Sequence, residues 1–293
     1  MIETKIERKL TEVKSPVNIK MKHSIKVWTT FTLFSLIAIV MMFPLFWMFS
    51  SSLKERSQIF LNPPMWIPET LQWANFTELF TNRFFDKVLL NSFFVSGVYT
   101  IGGVFFCALA GFAFAKYNFK FKNILFLIVL SSMMIPHEAT MIPLFEVYRS
   151  LGLIDNLWGV ILPGLANAFG IFFMRQYCSS IPQDLLESAR IDGCSEFRLF
   201  YKVILPNLKP ALGTLGIIFF VNQWNNFLWP MVILRSPENQ TIAVAVRALQ
   251  SGVRTPYELI MAGSVISILP LLFIIFFFQK WLIAGLLEGS IKG

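Results

Sequence analysis

Six runs of apolar residues, roughly 27 to 49, 88 to 114, 124 to 146, 157 to 177, 211 to 234 and 260 to 284, take up much of the 293-residue chain. Each meets or approaches the roughly 20 residues that a helix needs to cross a hydrocarbon core of about 30 Å. Lipid offers no hydrogen bonds, so continuous runs of this length read as helices, whereas barrel strands would alternate over about 10 residues. Composition agrees: 55% of the residues are hydrophobic and 14% charged, against about 25% charge in a soluble domain. No polar stretch is left that would make an independent soluble domain. The expected fold is all-α, a polytopic membrane protein with six transmembrane helices. The first run lies behind 26 residues and is too long for the core of a signal peptide, so it reads as a retained anchor.

Six spans place both termini on one side. The segments on that side (before 27, 116–122, 175–209 and after 279) carry 17 Lys and Arg, against 8 on the other. The positive-inside rule makes the richer side cytoplasmic, with both termini inside. It also accounts for the net charge of +8 without nucleic acid, because the basic residues are dispersed between apolar runs. Residues 1–26 then form a cytoplasmic segment, 27–284 the transmembrane domain with a cytoplasmic loop at 178–209, and 285–293 a glycine-containing cytoplasmic tail.

Catalytic and metal chemistry find no support. Cys107, Cys178 and Cys194 are far apart, and His23 and His137 are the only histidines, so neither a disulfide framework nor a Cys/His metal site is indicated. The chain has no HExxH, no GxSxG and no cluster of carboxylates, and it lacks the G-x-x-x-x-G-K-[ST] loop that cradles nucleotide phosphates. It is not expected to be an enzyme or to bind a cofactor.

Within the spans, small and polar residues stand out. Gly103, Cys107, Gly111 and Ala115 recur every four residues and form a ridge along which another helix can approach closely. Asn222, Gln223, Asn225 and Asn226, with Trp224 and Trp229, lie in the fifth run, where amides must find partners. Asn222 and Asn226 are expected on one helical face. Either inter-helix polar contact or a solute path lined by amides and aromatic rings fits them. His137 and Glu138 follow Pro136 in the third run, with Pro143 beyond. That run is expected to be kinked or broken, and an ionisable pair at depth is a functional candidate for gating or proton relay. The outer loop 50–87 carries Pro63, Pro64, Trp66, Pro68 and Trp73, consistent with a segment anchored at the interface.

The loop between the fourth and fifth runs reads as helix, break, helix. Ser180 and Gln183 have capping-box spacing, Pro182 suits a first turn, and Gly193 suits a left-handed helix end, giving a short helix over about 181–192. Leu185, Leu186, Ala189 and Ile191 supply an apolar stripe. Asp184, Glu187 and Asp192 outweigh Arg190, so anionic lipid would repel the helix and a protein partner is the expected occupant.

This loop resembles the EAA loop of importer permeases of the ATP-binding cassette class: E-A-A, three residues, G, nine residues, I-x-L-P. Glu187 and Ala189 match, Gly193 falls at the required place, and Leu205 and Pro206 close the motif, while Ser188 replaces an alanine and Val203 an isoleucine. Further phrases resemble the carbohydrate-uptake, maltose-type branch. They are Asn91-Ser92-Phe93, Met134 to Leu144, Gly152-Leu153-Ile154-Asp155, Trp224 to Pro230, and Gly285-Leu286 to Gly293. The resemblance implies a heteromeric importer of sugars or oligosaccharides in a prokaryotic plasma (inner) membrane. Its parts would be this chain, a second homologous permease, two ATPase subunits that bind ATP and Mg, and an extracytoplasmic solute-binding protein. It further implies that the helix over 181–192 is the coupling helix seated in a cleft of the ATPase, with Glu187 pairing there, and that the tail reaches between the ATPases. The motif reports the ATPase and not the cargo, so a permease for amino acids, peptides or an ion stays open. So does a proton-coupled carrier built on His137 and Glu138.

Overall fold

The computed structural model describes residues 16–251 and 255–288, and the described residues fold as helices and connecting loops with no strand. Three helices are long and apolar enough to cross a membrane unaided, and three bent pairs raise the number of spans to as many as six. The first, α1 (Pro16–Ser52), exposes its apolar Val27–Ser52 stretch almost wholly and touches the rest of the chain mainly through α15 (Tyr257–Glu288). The loop after it holds the short α2 (Arg56–Ile59) and α3 (Ala74–Asn82). Trp66 packs edge-on against Phe43 and Trp47, folding this loop back onto the end of α1.

The core is built on α4 (Phe85–Lys116), whose 32 residues contain no proline. At about 1.5 Å per residue it spans roughly 48 Å, enough to tilt through the bilayer and emerge beyond it. Its most extensive partners are α8 (Ala168–Ser180) and α12 (Lys209–Trp224). The small-residue ridge makes this possible. A Cβ on Gly111 would lie 2.7 Å from the Arg175 backbone nitrogen of α8, and one on Gly170 of α8 would lie 2.6 Å from the Cys107 sulfur. Two flat surfaces thus meet at backbone distance, which bulkier side chains would forbid.

The other three spans are broken. The third consists of α5 (Lys122–Ser132) and α6 (His137–Ser150), which meet at 101°. Pro136 caps the second, in the extended conformation a proline favours at a helix start, as the sequence led us to expect. The fourth is α7 (Leu157–Ile161) with a 3₁₀ turn to Gly164, bent 44° from α8. The fifth was expected as one run over 211–234. It divides into α12, which ends at Trp224, and α13 (Leu228–Ile233), with Asn225 to Phe227 outside any helix. Asn222 and Asn226 therefore do not share a helical face.

Near the start of α4, Asn91 and Ser92 hold the loop between α13 and α15. Asn91 donates to the carbonyls of Glu238 and Gln240, and the Ser92 hydroxyl accepts from the amide of Ile242, the first residue of α14 (Ile242–Ala248). The tail expected from Gly285 begins as helix, because α15 continues to Glu288. Its last five residues, like residues 1–15 of the expected N-terminal segment, lie outside the described residues.

Candidate functional site: a polar cavity and the loop between the fourth and fifth runs

Where the third, fourth and fifth spans break, their ends surround a cavity of about 460 Å³. Its wall includes Tyr99 from α4, His137 at the start of α6, Asn167 before α8, and Gln223, Asn226 and Trp229 from the interrupted fifth span. The local structure explains the polarity. Asn167 lies three residues beyond the 3₁₀ turn and caps α8, its side chain accepting from the Gly170 amide at 3.0 Å. Trp229 is fully buried and donates its indole N–H to the Gly159 carbonyl at 2.9 Å, so only its ring is offered to the cavity, 6.3 Å from the His137 ring. Gln223 is only 5% exposed, and its amide nitrogen has no partner among the described residues. Its oxygen accepts a long 3.4 Å bond from Asn226. An amide buried without its hydrogen bonds is costly, and this one sits on the cavity wall.

The structure therefore brings together His137, Gln223, Asn226 and Trp229 and leaves the other candidates elsewhere. Trp224 is buried on the far side of α12, donating to the Ser267 carbonyl of α15 and packing on Phe93 and Phe220. Asn222 and Asn225 are exposed, and Asn225 bonds back to the Val221 carbonyl. Glu138 is exposed and does not line the cavity beside His137. Sequence reasoning missed Tyr99 and Asn167. An Asn directly before the apolar run Ala168-Phe169-Gly170-Ile171 was a readable cap signal, whereas nothing local distinguished Tyr99 from a core aromatic.

The loop between the fourth and fifth runs folds as α9 (Gln183–Ile191), α10 (Glu196–Leu199), a π-turn over Phe200–Ile204 and α11 (Leu205–Asn207), and the helical segment Glu196–Asn207 meets α12 at 80°. The first helix is shorter than the expected 181–192. No capping box forms, because Pro182 is the cap residue and the Ser180 hydroxyl donates to the Tyr177 carbonyl instead. Gly193 behaves as expected. It is left-handed at φ +80°, and the Gly193 and Cys194 amides donate to the Arg190 and Ala189 carbonyls, the Schellman closure of a helix. The apolar stripe divides into two roles. Leu186 and Ala189 are buried in this chain's own core, while Leu185 and Ile191 are exposed together with Glu187 and Asp192. Leu205 and Pro206 form the elbow into α12, where Pro206 costs no hydrogen bond because it lies in a first turn.

Residues 103–287 match the model of the family described as binding-protein-dependent transport system inner membrane component. The chain belongs to this family. It is 40% identical over 264 residues to the arabinooligosaccharides transport system permease protein AraQ of Bacillus subtilis, covering 89% of this chain and 94% of that protein. It is 30% identical to the sn-glycerol-3-phosphate transport system permease protein UgpE of Yersinia pestis, covering 86% and 92%. A crystal structure of a bacterial ABC transporter involved in the import of the acidic polysaccharide alginate superposes with a TM-score of 0.77 at 24% identity, over 88% of this chain and 97% of that one. This permease is thus a multi-pass membrane subunit of a binding-protein-dependent transport system, not an enzyme.

Around α9 and α10 the permease carries contacts that sequence reasoning did not single out. Glu196 receives Arg190 through Nε at 2.9 Å and Nη2 at 3.3 Å, and the Tyr117 hydroxyl also donates to it. The bonds from Arg190 and then Tyr117 hold the Glu196 carboxyl below the usual glutamate range. Burial, followed by the hydrogen bond to Glu196, pushes the Tyr117 phenol up. Between α6 and α7, Asp155, left-handed at φ +57°, accepts from the amides of Arg235 and Ser236 and from the Ser236 hydroxyl. Burial acts to raise its pKa, but these bonds outweigh it and hold the carboxyl below the usual value.

Proposed function

We propose that this chain forms half of the translocation path of an ATP-driven importer of sugars or oligosaccharides. The observation that carries the cargo class is the 40% identity, along nearly the whole chain, to a permease for arabinooligosaccharides. In this reading the cavity at the span breaks is part of the path. Gln223, Asn226 and His137 offer hydrogen bonds to sugar hydroxyls, and Trp229 offers an aromatic platform of the kind small-molecule sites use.

The partners are a second homologous permease, two ATPase subunits that bind ATP and Mg, and an extracytoplasmic solute-binding protein. The exposed Leu185, Glu187, Ile191 and Asp192 face of α9 seats in the ATPase cleft, and Gly193, Leu205 and Pro206 fix its angle to the spans. The apolar face of α1 meets lipid and the second permease. Both termini are cytoplasmic in the inner membrane of a prokaryote, as the excess of Lys and Arg on that side supports. In the intact importer, uptake of labelled arabino-oligosaccharides should depend on ATP and fall several-fold in Gln223→Ala or Asn226→Ala, while Asn222→Ala transports normally. Normal uptake in both cavity variants, or transport of charged solutes only, overturns this reading.

A further inference from the structure

The cytoplasmic end of α4 grips both flanks of the docking helix. Lys116, its last residue, donates from Nζ to the Ile181 carbonyl at 2.5 Å and to the Ser179 carbonyl at 3.4 Å, where α8 hands the chain to α9. A cation on terminal helix carbonyls is well placed, since that end carries the negative pole of the dipole. The next residue, Tyr117, reaches the opposite flank. Its hydroxyl donates to Glu196, which also accepts two bonds from Arg190 in the last turn of α9, and the Arg190 guanidinium lies 5.8 Å from the Tyr117 ring. An isolated exposed ion pair would contribute little, but here two side chains from separate elements, Tyr117 and Arg190, converge on the Glu196 carboxylate while Lys116 closes the other end.

The same helix reaches the cavity. α4 is unbroken by proline, and Tyr99, 17 residues before Lys116, lines the cavity and packs so closely on the 3₁₀ turn that a Cβ on Gly164 would lie 2.3 Å from its ring. The rise of a helix puts about 26 Å between these two positions.

We propose that Lys116 and the Tyr117–Glu196–Arg190 cluster are a latch that makes α9 and α4 one rigid body, so that displacement of the docking helix reaches the cavity wall through α4 and Tyr99. These are positioning residues. The inference rests on the reading of α9 as the ATPase-docking helix, and recovery of the ATPase with the purified chain tests that reading separately.

The latch is tested in the intact complex in lipid nanodiscs. Spin labels at Gln183→Cys on α9 and Ile101→Cys on α4 are placed in a Cys194→Ser background, both labelled positions being exposed and Cys107 and Cys178 fully buried. The distance between them is measured before and after trapping with ATP and vanadate. In the otherwise unaltered chain it should stay within about 1 Å. With Lys116→Met, Tyr117→Phe and Glu196→Gln combined it should change by about 2 Å or more, the scale of helix shifts at switching interfaces. Tyr117→Phe alone keeps the ring on Phe112, so its fold is not at risk, and it should give a smaller change of the same sign. A change in the unaltered chain, or none in the triple variant that still binds the ATPase, overturns the latch.

Discussion

Gly111 offers a stringent test of the packing account. In Gly111→Ala the new methyl would stand 2.7 Å from the Arg175 nitrogen and from the Met174 Cβ of α8, where unstrained heavy atoms sit about 3.5–4.0 Å apart. The obstacle is largely backbone, so no side chain can swing clear and α8 must retreat by about 1 Å. That movement would loosen neighbouring contacts, including that of Cys107 with Gly170. Overpacking of this kind costs about 1–3 kcal/mol. Alanine also gains up to about 1 kcal/mol over glycine in helix propensity, and that gain is removed by comparison with Gly97→Ala on the same helix, where a Cβ meets nothing within 4 Å. The difference between the two variants should therefore be about 1–3 kcal/mol, or roughly 2–10 °C in unfolding midpoint for a chain of this size. Thermal unfolding in one detergent, followed by tryptophan fluorescence, measures it. Equal midpoints for the two variants would refute the claim that α4 and α8 meet at backbone distance.

Gly193→Val forces a β-branched residue into φ +80°, costing about 1–3 kcal/mol locally. It should lower ATPase recovered with the chain several-fold while leaving insertion unchanged, as quantitative blotting would report. Asp155→Ala removes the carboxylate that accepts two amides and a hydroxyl. For a partly exposed site this costs about 2 kcal/mol, read as a fall of roughly 4–8 °C in midpoint, with Asp155→Asn milder because asparagine tolerates the left-handed region. The Glu196 carboxyl is held below 4.5, the ordinary glutamate value. Its contribution is present above that value and is lost as pH falls through the depressed one. Hydrogen exchange across 192–198 should accelerate over that acid range, and the acceleration should be absent in Glu196→Gln.

The number of membrane segments was legible because a continuous apolar run of 20 residues has few alternatives. The conformation of the loop between the fourth and fifth runs was partly legible, because Gly193 and Pro206 each restrict the backbone. The breaks were partly so. Pro136 announced one of them, but nothing in Trp224 to Phe227 outweighed the apolar residues on both sides. Which amides face the cavity depends on where α12 ends, so Gln223 and Asn226 emerged while Asn222 did not. The stripe on α9 was read as one face. Burial divides it, because Leu186 and Ala189 meet the chain's own core and only Leu185 and Ile191 remain for a partner. Contacts such as Tyr117 with Glu196 join residues 79 apart in sequence, and no local pattern records them.

The central claim is that this permease works through a separate ATPase. The direct measurement is purification of the chain from its native membrane in mild detergent, with every co-purifying protein identified by mass spectrometry and the preparation assayed for ATP-dependent sugar uptake in liposomes. A second permease and an ATPase in fixed ratio, with uptake that needs ATP and the solute-binding protein, is the predicted result. A stable preparation of this chain alone that moves solute without ATP would contradict it.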